Sequence, residues 1–169
     1  MLISENLAKA FSAQTGNEFG ASIQYVMVAA YFDREALPQL AAKFYTQAEE
    51  EKMHGMKLAH YVAEAGGKLE IPPIPAGKAD FASAQEAVQL ALDWELTVTK
   101  QINGLVELAI QESDHLAQIF LQWFVNEQLE EVSSMDELLR TVKRAGEDLL
   151  HVEEYLARQP APAAAVAQP

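Results

Sequence analysis

Through most of its length the chain repeats apolar residues every three or four positions, with few Gly or Pro residues to interrupt them, and that spacing leaves little besides long amphipathic helices. Pro38 breaks the pattern in "FDREALPQL". Residues 66–81, "GGKLEIPPIPAGKADF", break it densely, "QESDH" at 111–115 is polar and short, and Gly146 interrupts after Lys143 and Arg144. Between these breaks the spacing predicts four long helices over 4–34, 38–65, 83–111 and 115–144, and a short fifth over 147–157. Ser83 with Glu86 three residues on is a capping-box signature for the third. No strand-like alternation competes. Helices of ~27–31 residues run ~40–45 Å at 1.5 Å per residue, so the expected fold is all-α, a long four-helix bundle. The end, "RQPAPAAAVAQP", is low in complexity, so residues 1–157 read as one domain and 158–169 as an Ala/Pro-rich tail.

Each helix carries a core-facing seam. The first reads Leu7, Phe11, Gln14, Glu18, Ala21, Tyr25, Val28, Phe32, and the second Leu40, Phe44, Gln47, Glu51, His54, Leu58, Tyr61, Ala65. The third gives Val88, Ala91, Glu95, Val98, Ile102, Leu105, Ala109, and the fourth Ala117, Leu121, Phe124, Gln128, Glu131, Met135, Leu138, Val142. All four are mostly apolar, and all four are interrupted near the middle: by Glu18, by Glu51 and His54, by Glu95, and by Gln128 and Glu131. Adding 77 to 18, 51 and 54 gives 95, 128 and 131, so the halves repeat one constellation, Glu then Glu-x-x-His, and Glu then Gln-x-x-Glu. With turns near 36 and 113, the polar residues of each antiparallel hairpin fall at one depth. Joining the hairpins requires residues 66–82 to carry the chain along the bundle; 17 extended residues reach ~55 Å, enough to make the second and third helices parallel through one long crossover.

Four carboxylates at one level of a core repel each other, and each costs several kcal/mol to bury unpaired, on the order of the penalty for any desolvated ion. No Lys or Arg lies on the seams nearby. A pair of divalent metals removes the difficulty, and carboxylates with one imidazole suit Fe(II), Mn(II) or Zn(II), with redox iron favoured. A lone E-x-x-H is weak; six residues at a common depth repeated at one offset are specific.

The remaining totals exclude other classes. A net charge of −13 argues against nucleic acid as a partner and suits a solvated surface or attraction of cations. With no cysteine, disulfides and thiolate metal sites are ruled out. No stretch reaches the ~18 uncharged apolar residues of a membrane span, and "MLISENLAKAF" lacks the basic end and apolar run of a signal peptide, so no membrane association and a cytoplasmic location are expected.

Taken together, "NEFGASIQYV", "AEEEKMHGMKLAHYV", "LDWELTVTKQIN" and "WFVNEQLEEV" resemble the bacterial non-haem ferritins, over about residues 5–157. The resemblance implies a ferritin-like four-helix bundle with one long crossover and a short fifth C-terminal helix, "GEDLLHVEEYLARQ", which in the family lies near the fourfold axes of a 24-subunit shell. It implies a homo-oligomeric ferroxidase and iron store. Two Fe(II) per subunit are oxidised by dioxygen or hydrogen peroxide and pass as Fe(III) into a mineral. By position, Glu18, Glu51 and His54 would hold the first iron, Glu51 would bridge, Glu95 and Glu131 would hold the second, and Gln128 would be a weak ligand or water anchor. Tyr25 matches the family's tyrosine beside the site, and a core aromatic is the competing reading. Glu50, Glu127, Glu130 and Glu131 match a third iron position, with a solvated acidic face as the alternative.

Two departures from relatives carry expectations. Haem-binding bacterioferritins have Met directly after the first E-x-x-H glutamate, where this chain has Lys52, so no haem is expected. Gln118 and Leu121 stand where animal ferritins line their threefold channels with acids; Glu112 and Asp114 are candidates to serve instead. Two other functions remain open at this point: another di-iron oxidase or peroxidase on the same bundle, and a non-catalytic bundle whose acids hold a structural metal. A 12-subunit miniature ferritin fits less well, because this chain carries a complete ligand set within one subunit.

Overall fold

In the computed structural model, which describes residues 2–159, five helices and no strand form among the described residues: α1 (Glu5–Arg34), α2 (Pro38–Glu64), α3 (Ala84–Gln111), α4 (His115–Ala145) and α5 (Leu150–Ala157). Residues 160–169, most of the expected tail, lie outside the described residues. Helix ends agree with the sequence-based spans to within a residue except for α5, which begins at Leu150 and not at 147. The reason is Gly146, which ends α4 at φ 62°, and a turn through Asp148 must follow before helix resumes. Ser4, Ser83 and Asp114 accept N-capping bonds from Leu7, Glu86 and Ala117. The expected capping box at α3 is only half made: Glu86 turns its carboxylate to the backbone N–H of Ala82 and to Lys78.

The repeat extends to the turns. Ala36 and Ser113, 77 residues apart, are the two non-glycine residues with positive φ among the described residues, at 58° and 55°. Around each, the same bonds recur: Leu37 N–H to Phe32 O and Asp114 N–H to Ala109 O, both 2.9 Å. The two hairpins, α1–α2 and α3–α4, are therefore closed by one turn geometry used twice.

The crossover has no regular structure and follows α1 upward. Glu70 N–H bonds Ser12 Oγ at 3.1 Å, Pro72 lies over Gly16, Ile74 over Gly20, and Lys78 N–H bonds Gln24 Oε1 at 2.7 Å. It delivers Phe81 against Tyr31 at the far end of α1, so α3 starts there and runs back parallel to α2. The core divides into two apolar clusters, one around Leu7, Phe11, Leu58, Ile102 and Phe124, the other around Tyr25, Phe32, Phe44, Val88 and Met135. The polar seam residues lie between them. α5 docks across the first turn of α2, which has no side-chain cap of its own. Glu153 supplies one, accepting from Gln39 and Leu40 N–H at 2.8 and 2.9 Å, while Val152 is fully buried. Among the described residues no helix is long and apolar enough to cross a membrane.

Candidate metal centre

One turn of each long helix faces the gap between the apolar clusters, and the side chains there are Glu18, Glu51, His54, Glu95, Gln128 and Glu131, all buried; Glu95 is 0% exposed and Glu18 1%. Ligand atoms of Glu18, Glu51 and His54 lie within 4.8 Å of one another, and so do those of Glu51, Glu95 and Glu131. Glu51 belongs to both groups, placing it between two candidate metal positions. The approach of α1 to α2 at this level depends on Gly55, directly after His54: a Cβ there would come within 2.6 Å of the Phe19 ring, next to Glu18.

His54 turns Nδ1 to Glu51 Oε2 at 3.2 Å, and Nε2 lies 3.9 Å from Glu127, beyond hydrogen-bond range. Its ring meets Trp123 and Phe124 edge-on, and Lys57 sits over the Trp123 ring. Tyr25 is fully buried against Phe44 and donates its hydroxyl to Glu95. It is thus a packed core aromatic with a satisfied hydroxyl whose partner is a candidate ligand, and the two sequence readings of Tyr25 merge. Gln128 turns its amide nitrogen toward α3, to Glu95 O at 3.1 Å, Thr99 Oγ1 at 3.2 Å and Glu95 Oε2 at 3.4 Å. In this arrangement it serves Glu95 as a donor.

Burial pushes the carboxyl groups of Glu18 and Glu51 well above the usual range, and neighbouring carboxylates push further in the same direction. Burial also raises Glu95, against the opposing hydrogen bonds of Tyr25 and Gln128, and lifts Glu131 to about 7. The Tyr25 hydroxyl is raised well above its ordinary value by burial and by Glu95. Among the described residues no Lys or Arg pairs with any of these four acids. Glu18 Oε2 and Glu51 Oε1 are buried with no hydrogen-bond partner. Buried carboxyl oxygens without a partner, in two ligand groups that share Glu51, fit a metal pair well.

The third set of acids separates. Glu127 comes within 4.8 Å of His54 and Glu131 ligand atoms, whereas Glu50 and Glu130 join no such group. All four line a cavity of about 560 Å³ between α2 and α4, with Lys43, Gln47 and Ser134, and the end of α5 closes one side. α2 and α4 nowhere bring Cα atoms within 8 Å, unlike α1–α2, α3–α4 and α1–α3, so this is the open seam of the bundle. Of the acids suggested for an access channel, Glu112 accepts from Ser4 and Asn6 and Asp114 caps α4. Leu121 is buried and Gln118 bonds Ala109 O at 3.2 Å.

Two further residues of the centre were on the seams without a role assigned to them. Gln14 donates to Glu18 Oε1 at 2.8 Å, and Gln47 to Glu131 Oε2 at 2.7 Å. The available signal was their spacing: each stands one turn before Glu18 or Glu51 on an otherwise apolar seam, 33 residues apart like the glutamates themselves.

Comparison with known proteins agrees with this geometry. The ferritin family, described as a ferritin-like domain, matches residues 8–145. Ferritin BfrB of Mycolicibacterium smegmatis is 46% identical over 146 residues, 86% of this chain and 81% of that one. A bacterial non-heme ferritin of Staphylococcus aureus is 35% identical over 147 residues, 87% of this chain and 89% of that one. An open pore ferritin from the hyperthermophilic archaeon Archaeoglobus fulgidus superposes with a TM-score of 0.90 at 33% identity, covering 94% of this chain and 99% of that one. With its buried carboxylate cluster, its single crossover and these relatives, the chain belongs to the ferritin family, whose work is the oxidation and storage of iron.

Proposed function

We propose that each subunit is a ferroxidase that binds two Fe(II) as substrate, one at Glu18, Glu51 and His54, the other at Glu51, Glu95 and Glu131. Each iron gives one electron to dioxygen or hydrogen peroxide, and the Fe(III) passes to a mineral inside a 24-subunit shell. The observation that carries this reading is the pair of partnerless buried oxygens, Glu18 Oε2 and Glu51 Oε1, in a four-carboxylate cluster that no lysine or arginine among the described residues neutralises. Tyr25 holds one oxygen of Glu95 and Gln128 faces the other, which keeps that carboxylate oriented.

The cavity between α2 and α4 supports Glu50, Glu127, Glu130 and Glu131 as the way out and as a third iron position, with Glu127 its innermost member. Those acids argue against an oxygenase acting on an organic substrate, whose pocket is predominantly apolar. Exposed Ile119, Leu116 and Ile110 around the α3–α4 turn support contacts between subunits. Lys52, exposed and paired with Glu49 at 3.2 Å, supports a shell without haem. A cytoplasmic location fits an iron store of this charge. Particle mass before and after aerobic Fe(II) loading tests assembly and mineralisation together. Oxidation that stops at two irons per chain, or loading unchanged by Glu51→Ala with His54→Ala, would refute the proposal.

A further inference from the structure

The three terminal carboxylates of the centre share one device. Glu18 receives the Gln14 amide on Oε1 at 2.8 Å, Glu131 receives the Gln47 amide on Oε2 at 2.7 Å, and Glu95 receives the Tyr25 hydroxyl on Oε1. Glu51, the shared carboxylate, receives no amide or hydroxyl among the hydrogen bonds of the described residues. Gln14 and Gln47 are 2% and 6% exposed, so neither amide is there for solvent. Asn17 donates to Gln14 Oε1 at 3.2 Å, which leaves the Gln14 nitrogen for Glu18, the orientation that the ionised, metal-holding form of that carboxylate would need, because it can only accept. In the second half of the repeat the matching residues, Ala91 and Phe124, are buried apolar side chains, so the glutamine pair is not a by-product of the 77-residue offset.

We propose that Gln14 and Gln47 are positioning residues, one for each iron: each pins the outer oxygen of a terminal glutamate so that the other oxygen faces its metal. A neutral amide suits this task. It favours the ionised carboxylate without adding a positive charge, whereas a lysine in the same place would repel the incoming cation. The two glutamines act on different metals: Gln14 on the iron held with Glu18 and His54, Gln47 on the iron held with Glu95 and Glu131. This inference rests on the two-iron reading above.

Anaerobic titration with Co(II), followed by calorimetry and by its visible absorption, tests it without any oxidation step. Glu18→Ala and Glu131→Ala identify which binding step belongs to which position. Gln14→Met and Gln47→Met keep the side-chain length and remove the donor. Gln14→Met is expected to weaken the Glu18 step by about 10-fold or more and to leave the other within about twofold, and Gln47→Met to do the converse. If the Met variants fail to assemble, Gln14→Asn and Gln47→Asn, whose amides fall about 1.5 Å short, carry the same expectation. Variants that bind both ions like the parent overturn the proposal, and so do variants that weaken both steps equally, because that would mark a packing role. A parent protein that takes up no Co(II) pair overturns the two-iron reading itself, a result distinct from either of these.

Discussion

Replacing Glu131 with Gln should make the metal-free protein more stable, and only above acid pH. Burial lifts the folded-state value of Glu131 from 4.5 to about 7. Between those values the unfolded chain has lost a proton that the folded chain keeps, so stability falls as pH rises. The penalty is absent below about 4.5, grows by about 1.4 kcal/mol per pH unit, and reaches about 3 kcal/mol once pH exceeds the folded value. The substituted glutamine has nearly the shape of the glutamate, and its carbonyl oxygen can still accept from the Gln47 amide that now reaches Glu131 Oε2 at 2.7 Å. It carries no titration and relieves the repulsion with Glu95. At about 2–4 °C per kcal/mol for a chain of this size, the variant should melt roughly 6–12 °C above the parent at pH 8 and level with it near pH 4.5. Scanning calorimetry of both apo-proteins at one scan rate from pH 4.5 to 8 measures this. Saturating Zn(II) should close the gap by stabilising the parent far more than the variant. A difference that does not change with pH, or a parent that is the more stable at pH 8, would refute the claim that these acids oppose folding until a metal arrives.

Three further outcomes follow from the geometry. Tyr25→Phe keeps the contact with Phe44 but removes the donor to Glu95, so stopped-flow oxidation of Fe(II) should slow by about 10-fold while particle mass stays the same. Ala36→Gly and Ser113→Gly relieve left-handed backbone at φ 58° and 55°, and each should raise the melting temperature by an amount corresponding to about 1 kcal/mol. Glu153→Ala uncaps Gln39 and Leu40, costing about 1 kcal/mol, and hydrogen exchange should accelerate together in α5 and the first turn of α2.

Most of the fold could be read from the sequence because a long helix declares itself twice, by its apolar spacing and by what stops it. Pro38, the 66–81 segment and Gly146 marked boundaries that the backbone respects, and turns placed near 36 and 113 fall at the two non-glycine residues of positive φ among the described residues. The central acids were legible for the same reason: a charge on a seam has no cheap explanation. What was hidden depends on directions and separations that spacing does not carry. Gln14 and Gln47 were visible as polar seam residues, but a glutamine can face a carboxylate, a carbonyl or a water. Glu50 and Glu127 looked equivalent beside the seam, yet only Glu127 joins a ligand group with His54 and Glu131, a matter of side-chain direction across the α2–α4 gap that spacing does not carry. The start of α5 turned on the left-handed Gly146 and the turn after it, which no periodicity encodes.

On the proposed function, the gap between α2 and α4 is the way out for iron. α1 packs closely on α2 and α3, and α3 on α4, but the backbones of α2 and α4 stay farther apart and meet through long side chains such as Gln47 with Glu131 and Tyr61 with Phe120, and the cavity between them touches Glu131 on its inner side. Glu127 bridges the two regions: its carboxylate is near both His54 and Glu131 and is still partly open to solvent, with 29% of its side chain exposed. An ion moving from the Glu131 position to the cavity therefore meets Glu127 first, then Glu50 and Glu130. Glu127→Ala removes that step and leaves Glu18, Glu51, Glu95 and Glu131 in place. The first two Fe(II) per chain should still oxidise in a burst, but later turnovers should slow by about 10-fold, the size of effect that losing one charged contact produces. Sequential stopped-flow additions of Fe(II) separate the two phases. Equal slowing of both would place Glu127 in the oxidation step, and no slowing of either would move the exit away from the α2–α4 seam.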